Sequence, residues 1–358
     1  MNLRRFAIKS PNSKSFSKSV FFGVTVNEES SVEVEQTKSK KYSVLFKIAT
    51  WLLTCLCFYL VLSKTQATAA REGITLIEYL VRFFGDADWL SWLMIMAPYS
   101  VFFFLVDAHV TWRVVRWFNA PSLKLSQVLP IRASAYILSL VNEQVGKGAM
   151  SLYLLKRYEV PGWQALSTMI LLGLMEIYQL LIFSSVGVYL YYELVVEASS
   201  MLALDTILPV TFLVAAIYLP IHIWYFRSGV TRDSKLRNVQ IFRAFREADP
   251  LKYLLVLLCK APNMVGAIIV YTFALDLFNV EVSFGQMLAF LPVIFLAAAL
   301  PLPFHAGALL LWTVLFPDYP EVGVFSLIMH TFFVLFNALI GVLFLPKANK
   351  ELFGDPVT

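Results

Sequence analysis

Residues 140–157 read LVNEQVGKGAMSLYLLKR, and this stretch decides how the rest of the chain is interpreted. A polar string with two glycines, Asn142 to Gly148, separates two apolar pieces at about 126–141 and 149–155. A spanning helix needs about 20 apolar residues, because the hydrocarbon core is about 30 Å thick and each helical residue rises 1.5 Å. Neither piece is that long. The stretch therefore predicts a re-entrant hairpin, or two tilted short helices, that returns to the side it left.

Most of the chain is apolar. Of its 358 residues, 59% are hydrophobic and 15% are charged, and the mean hydropathy is +0.70. Soluble domains carry about 25% charged residues, so the composition predicts an all-α polytopic membrane protein. Apolar runs of spanning or nearly spanning length lie at about 43–63, 89–107, 164–192, 203–226, 253–275 and 324–345.

A second short apolar stretch lies near the end of the chain. Residues 286–300 and 308–316 flank the sequence PLPFHAG at 301–307, which predicts a second re-entrant hairpin. Residues 74–84 and 236–246 each place apolar side chains on one helical face, which predicts two helices lying at the membrane interface.

The distribution of lysine and arginine predicts the orientation. With the N-terminus in the cytoplasm and each hairpin counted as a return, the inner segments carry 24 of the 29 Lys and Arg residues and the outer segments carry 3. This bias favours an orientation with both termini in the cytoplasm. We expect the membrane to be the cytoplasmic (inner) membrane of a bacterium. The predicted organisation is a flexible cytoplasmic tail at 1–42, a single membrane domain at 43–346 and a cytoplasmic tail at 347–358.

The order span, hairpin, span occurs twice, at 89–192 and at 253–345. Gly148-Ala149 and Pro161 are matched by Gly307-Ala308 and Pro320 at an offset of 159 residues. The first copy starts outside and the second starts inside, so we interpret them as two inverted-topology repeats. Such repeats are typical of transporter folds, whose sites lie near the midplane where broken helices meet.

The motifs WRVVRWF (112–118), GKGAMSLYLLKRYEVP (146–161) and LPLPFHAGALLLWTVL (300–315) resemble those of the lysylphosphatidylglycerol synthase transmembrane-region family, also called flippase-like domain proteins. The resemblance covers about 44–345. It implies movement of lipids or lipid-linked head groups between leaflets, without a catalytic domain of the kind that some members carry. Ala149 stands where the family carries an acidic residue, so the polar role is expected at Asn142, Glu143 and Lys147.

Two predicted spans carry candidate binding residues. Glu176 and Gln179 lie one turn apart in the third span, where an ionisable group faces protein or water rather than lipid. They suit a head-group ligand or proton carrier, or alternatively a structural hydrogen bond between helices. Lys260, just before Pro262, suits a contact to an anionic lipid or an ion pair with Glu176, or alternatively reaches the inner interface.

The first hairpin carries a predicted basic cluster on its inner side, with Arg132, Lys147, Lys156 and Arg157 near Gly148. Clustered cations and free backbone N–H groups at a helix start suit phosphate recognition, but such a cluster also sets topology and attracts anionic lipid nonspecifically. His305, at the tip of the second hairpin, suits a group that titrates near neutral pH or an ordinary polar contact.

The sequence therefore predicts a flippase-like transporter of a phospholipid or lipid-linked head group. The expected partners are membrane lipids with anionic or phosphate-bearing head groups, a protein partner through the N-terminal tail is open, and no nucleic acid is expected. We find no catalytic motif and expect no cofactor and no metal. The alternatives are a membrane enzyme that modifies lipid head groups and a non-catalytic scaffold for an envelope-biosynthesis enzyme.

Overall fold

The computed structural model describes residues 28–141, 143–198 and 202–354, without the side chains of 28–44, 141, 143–145 and 147. It divides into two compact units, up to Ala49 and from Thr50 onward, and the first contains the start of α1. The helices are α1 (Glu28–Arg71), α2 (Leu76–Gly85), α3 (Trp89–Phe118), α4 (Leu125–Val141), α5 (Glu143–Tyr158), α6 (Gly162–Leu190), α7 (Tyr192–Ala198), α8 (Leu204–Arg227), α9 (Arg243–Glu247), α10 (Pro250–Asp276), α11 (Phe284–Ala298), α12 (Ala306–Leu315) and α13 (Val322–Phe353).

Six of the described helices are long and apolar enough to cross a membrane, so the chain is an integral membrane protein. They are α3, α6, α8, α10, α13 and the part of α1 from Leu45 to Arg71, and each overlaps one of the six predicted spans, whose ends lie within two residues of the helix where they extend beyond it. α1 begins at Glu28, inside the stretch predicted as a tail, and α13 continues to Phe353.

Side chains at the helix starts explain where several elements begin. Asp88 and Asp249 cap α3 and α10 by accepting hydrogen bonds from the backbone N–H groups of Ser91 and Lys252. Thr75 and Glu78 form a reciprocal capping box at the start of α2. These contacts satisfy N–H groups that have no partner within the helix.

Two pairs of short helices occupy the positions of the predicted hairpins. α4 and α5 have 17 and 16 residues, or about 25 and 24 Å, and α11 and α12 are shorter still. The polar string is not a turn in its described part, since α5 begins at Glu143. Gly146 explains this difference: a Cβ there would lie 2.8 Å from the carbonyl oxygen of Ala135 in α4, so the glycine permits close helix packing.

The predicted interface helix at 74–84 corresponds to α2. The one predicted at 236–246 is instead a single 3-10 turn at Gln240–Phe242 followed by α9. Arg237 donates to the carbonyl of Ser228 and Arg246 donates to that of Val239. These side-chain bonds hold the preceding backbone in turns, which compete with a continuous helix.

The two predicted repeats pack against each other reciprocally. α4 packs on α13, the last helix of the second repeat, and α11 packs on α6, the last helix of the first. α3 and α10, the first helix of each repeat, cross each other. The repeats themselves stay a prediction, but this exchange of contacts is the pattern that a pseudo-two-fold axis generates.

Corresponding residues meet where α3 and α10 cross. The Tyr99 hydroxyl donates to the carbonyl oxygen of Asn263 at 3.3 Å, and a Cβ on Gly266 would lie 3.2 Å from the Phe102 ring. The two residues of each pair are separated by 164 positions in the sequence, which is also the offset between Pro98 and Pro262. The crossing point therefore lies where the predicted symmetry axis would pass.

Glycines allow the two reciprocal contacts to be close. A Cβ on Gly187 of α6 would lie 2.1 Å from the carbonyl oxygen of Leu288 in α11, and one on Gly341 of α13 would lie 2.6 Å from that of Ala133 in α4. Backbones that approach this closely gain van der Waals contact, which is the main source of helix association in lipid.

A buried hydrogen bond joins α2 to the start of α13. The Tyr79 hydroxyl donates to Glu321 Oε2 at 2.8 Å, and both residues are buried. Burial raises the pKa of the Glu321 carboxyl above its ordinary value of 4.5, while the hydrogen bond from Tyr79 acts in the opposite direction. The folded protein therefore holds the Glu321 proton more tightly than the unfolded chain does.

Replacing Gly187 with alanine should separate α6 from α11 and lower stability by about 1–3 kcal/mol, the cost typical of overpacking. Gly173→Ala is the matched control in the same helix, because its Cβ would meet nothing within 4 Å. Thermal unfolding of the detergent-purified variants measures the difference. Equal melting temperatures for the two variants would contradict the close contact.

The protein should lose stability as the pH rises from about 4.5 through the raised pKa of Glu321, because ionisation there is less favourable in the folded state. Glu321→Gln keeps an acceptor for Tyr79 and should reduce this loss. Tyr79→Phe removes the opposing hydrogen bond and should enlarge it. Melting temperatures of the native protein and the two variants at pH 5 and pH 8 test these expectations. Indistinguishable pH profiles for all three proteins would refute the attribution of the pH dependence to Glu321.

Candidate functional site

Four charged side chains from four helices come together within the membrane-spanning bundle. They are Asp107 of α3, Arg132 of α4, Glu176 of α6 and Lys260 of α10. Two ion pairs form, Arg132 with Asp107 and Lys260 with Glu176, and electrostatic interactions also link Asp107 to Lys260 and Arg132 to Glu176. The four formal charges sum to zero. We call this group the four-charge cluster.

The first ion pair is tight. Arg132 donates from Nε at 3.0 Å and from Nη2 at 2.5 Å to Asp107 Oδ2, and the Tyr136 hydroxyl donates to the same oxygen at 3.1 Å. Both charged side chains are only 16% exposed. Arg132 and Tyr136 lie one turn apart on α4, so they reach Asp107 from the same helical face.

The second ion pair is loose. Lys260 Nζ lies 3.7 Å from Glu176 Oε2, and the two side chains differ in burial, at 8% and 50% exposed. Gln179 binds the backbone of the same residue, since its Nε2 donates to the carbonyl of Lys260 at 2.7 Å. Gln179 thus fixes the α10 backbone two residues before Pro262, where proline removes one hydrogen bond of the helix.

The cluster lies deep within the helices. Glu176 is 14 residues from either end of α6, or about 21 Å. Lys260 and Asp107 lie 10 residues after the start of α10 and 11 before the end of α3, or about 15 and 17 Å. A single ionised side chain at such a depth costs several kcal/mol in lipid, which is why these groups pair.

Other predicted site residues lie elsewhere. Lys156 Nζ lies 4.2 Å from the centre of the Phe353 ring, and Arg157 donates to the carbonyl of Gly354 at 2.7 Å. Both therefore contact the end of α13, and the predicted inner basic cluster is divided, with Arg132 in the four-charge cluster. Gly148 lies in α5 with open space beside its Cα. Asn142 and the side chains of Glu143 and Lys147 lie outside the described residues.

His305 lies at the turn between α11 and α12. Its Nδ1 is 2.8 Å from the carbonyl oxygen of Ala298, and its ring centre is 4.3 Å from that of His330 in α13. Phe304 and His305 both adopt positive φ angles, of 55° and 50°, a conformation uncommon for residues other than glycine. Through these contacts the turn joins α11 to α13. Among the described residues, no three His, Cys, Asp or Glu side chains form a group that could hold a metal ion.

The sequence interpretation missed Asp107 and Tyr136. Hydropathy places the end of this span at residue 107, whereas α3 continues for 11 residues beyond it. Arg132 in an apolar hairpin arm was the available signal, since a cation in lipid needs an anionic partner, and Asp107 is the acidic residue that precedes it.

Comparison with known proteins identifies no relative of this chain, since no protein-family model, curated protein or solved structure matches it.

Arg132→Met should leave the Asp107 carboxylate buried without its partner and destabilise the protein by roughly 3–5 kcal/mol. The double variant Arg132→Met/Asp107→Leu removes both charges and should recover most of that loss. Arg232→Met, which removes an exposed arginine of the loop after α8, is the control. Thermal unfolding of the four proteins measures the coupling, and a double variant no more stable than the single one would disprove the pairing.

Proposed function

We propose that the protein moves an anionic lipid, or a lipid-linked anionic head group, between the two leaflets. The four-charge cluster carries this proposal. Charged side chains inside membrane helices mark ion, proton or substrate pathways, because a purely structural role is met at lower cost by apolar residues. Lys260, whose ion pair is the looser of the two, supplies the positive charge that attracts a phosphate or carboxylate, while the acyl chains of the lipid stay outside the bundle.

The short helix pairs α4–α5 and α11–α12 support a transport role. Helices of about 15–25 Å do not cross a hydrocarbon core of about 30 Å on their own, and a polar route is expected where such helices meet. The reciprocal packing of α4 on α13 and α11 on α6 fits two inverted-topology repeats, for which alternating access is a rocking of one half against the other.

The resemblance to the lysylphosphatidylglycerol synthase transmembrane-region family points to the same activity. Within this proposal the protein resides in a bacterial inner membrane with both termini in the cytoplasm, as the lysine and arginine bias indicates. Residues before α1 are the candidate contact for a protein partner.

Reconstitution in liposomes tests the proposal. The protein should accelerate translocation of a fluorescent anionic phospholipid more than that of a zwitterionic one, and Lys260→Met should reduce the anionic rate about tenfold, as expected for a lost charge-assisted contact. Lys235→Met removes an exposed lysine outside the cluster and should leave the rate unchanged. If the native protein moved neither lipid faster than empty liposomes do, the proposed function would be wrong.

A further inference from the structure

The two ion pairs of the four-charge cluster differ in how readily a ligand could take the place of one partner. Asp107 Oδ2 receives three hydrogen bonds, two from Arg132 and one from Tyr136. Any ligand that separated Arg132 from Asp107 would have to replace the two bonds from Arg132 while the carboxylate remained buried. The tight pair is therefore suited to a fixed structural role.

Lys260 is also held in place, but its ammonium group makes only a long contact with the Glu176 carboxylate. The side chain is 8% exposed, and Gln179 anchors its backbone carbonyl at 2.7 Å. Its Nζ lies 3.7 Å from Glu176 Oε2, which is longer than the 2.7–2.9 Å of a charge-assisted hydrogen bond. The ammonium group thus carries hydrogen-bonding capacity that Glu176 does not use fully.

Glu176, in contrast, is the accessible member of its pair. Half of its side chain is not covered by protein, so within the proposed function it has room to move away from Lys260 along the polar route of the transported head group. The groups that face it are Lys260 on α10 and, at longer range, Arg132 and Tyr136 on α4. α11, which also packs on α6, contributes no titratable side chain.

We infer that Lys260 is the binding group for a phosphate oxyanion and that Glu176 is its built-in competitor, displaced when the ligand arrives. The inference rests on the proposed function and deepens it by assigning the ligand class and the two roles. An incoming phosphate replaces one long carboxylate contact with shorter ones. Glu176 swings toward the exposed side that it already partly occupies, and the Arg132–Asp107 pair stays in place as the wall of the site.

Asn263 adds a second polar contact one turn along α10 from Lys260. The residue is 8% exposed, its Nδ2 donates to the carbonyl of Phe103 at 3.5 Å, and its side-chain oxygen has no hydrogen-bond partner. A buried acceptor without a donor is unfavourable, and a hydroxyl or ammonium group beside the phosphate would satisfy it. The ligand class therefore extends to phosphates with a neighbouring hydrogen-bond donor.

Binding to the two single variants separates this competition from a structural ion pair, because the inference predicts effects of opposite sign. Glu176→Gln should lower the dissociation constant roughly three- to tenfold, since it removes the competing charge while keeping the shape of the side chain. Lys260→Met should weaken it roughly tenfold or more. Glu193→Gln, an exposed carboxylate on α7 outside the cluster, is the matched control and should change nothing.

Titration calorimetry on the detergent-purified full chain, with dihexanoyl phosphatidic acid in one arm and inorganic phosphate in the other, makes the measurement. Binding in both arms identifies the phosphate as the recognised group, and binding only in the first identifies a lipid phosphate. Melting temperatures of each variant check folding, and Glu176→Ala provides a second competitor-free protein if Glu176→Gln does not fold.

Weaker or unchanged binding to both Glu176 variants overturns the inference. So does native binding that Lys260→Met leaves intact, or the absence of native binding in both arms. Failure of this inference can be distinguished from failure of the proposed function. Liposome translocation of anionic lipid with no gain of affinity in Glu176→Gln refutes only the competitor role, and the opposite-sign pattern without translocation refutes only the transport.

Discussion

Pairing of charge in an apolar environment is the constraint on which the rest of this structure depends. Lipid and apolar side chains cannot solvate an ion, so every charged group placed deep in the bundle requires a partner from another helix. Asp107, Arg132, Glu176 and Lys260 each come from a different helix, and their pairing therefore fixes the positions of α3, α4, α6 and α10 relative to one another. Removing one partner affects helix placement as well as charge.

Backbone packing provides the complementary constraint, because apolar side chains alone do not distinguish a helix from lipid. Gly187 and Gly341 bring α6 onto α11 and α13 onto α4 so closely that a methyl group would meet a carbonyl oxygen. The charge cluster and these contacts hold the bundle by different means. The first tolerates little change in charge, and the second tolerates little change in volume.

The sequence predicted the coarse fold well and the site only in part. The six long helices follow from hydropathy alone, because a spanning helix must be apolar along its length. Glu176, Gln179 and Lys260 were also predictable, since polar groups within apolar runs are conspicuous. Asp107 was missed because it lies where hydropathy falls, which does not distinguish the end of a span from a charged site inside a longer helix. The helical form of Glu143–Gly148 was missed because glycine signals both turns and close packing, and only the position of α4 distinguishes them.

The reciprocal contacts between the two halves have a consequence for biosynthesis. Asp107 and Arg132 are 25 residues apart, so their charges can neutralise each other soon after both enter the membrane. α4, however, packs on α13, and the Ala133 carbonyl lies against Gly341, 208 residues later in the chain. At roughly 5–20 residues per second of synthesis, about 10–40 s separate the two. During that interval the face of α4 that packs on α13 has no native cover, and lipid, the insertion machinery or a chaperone must occupy that surface.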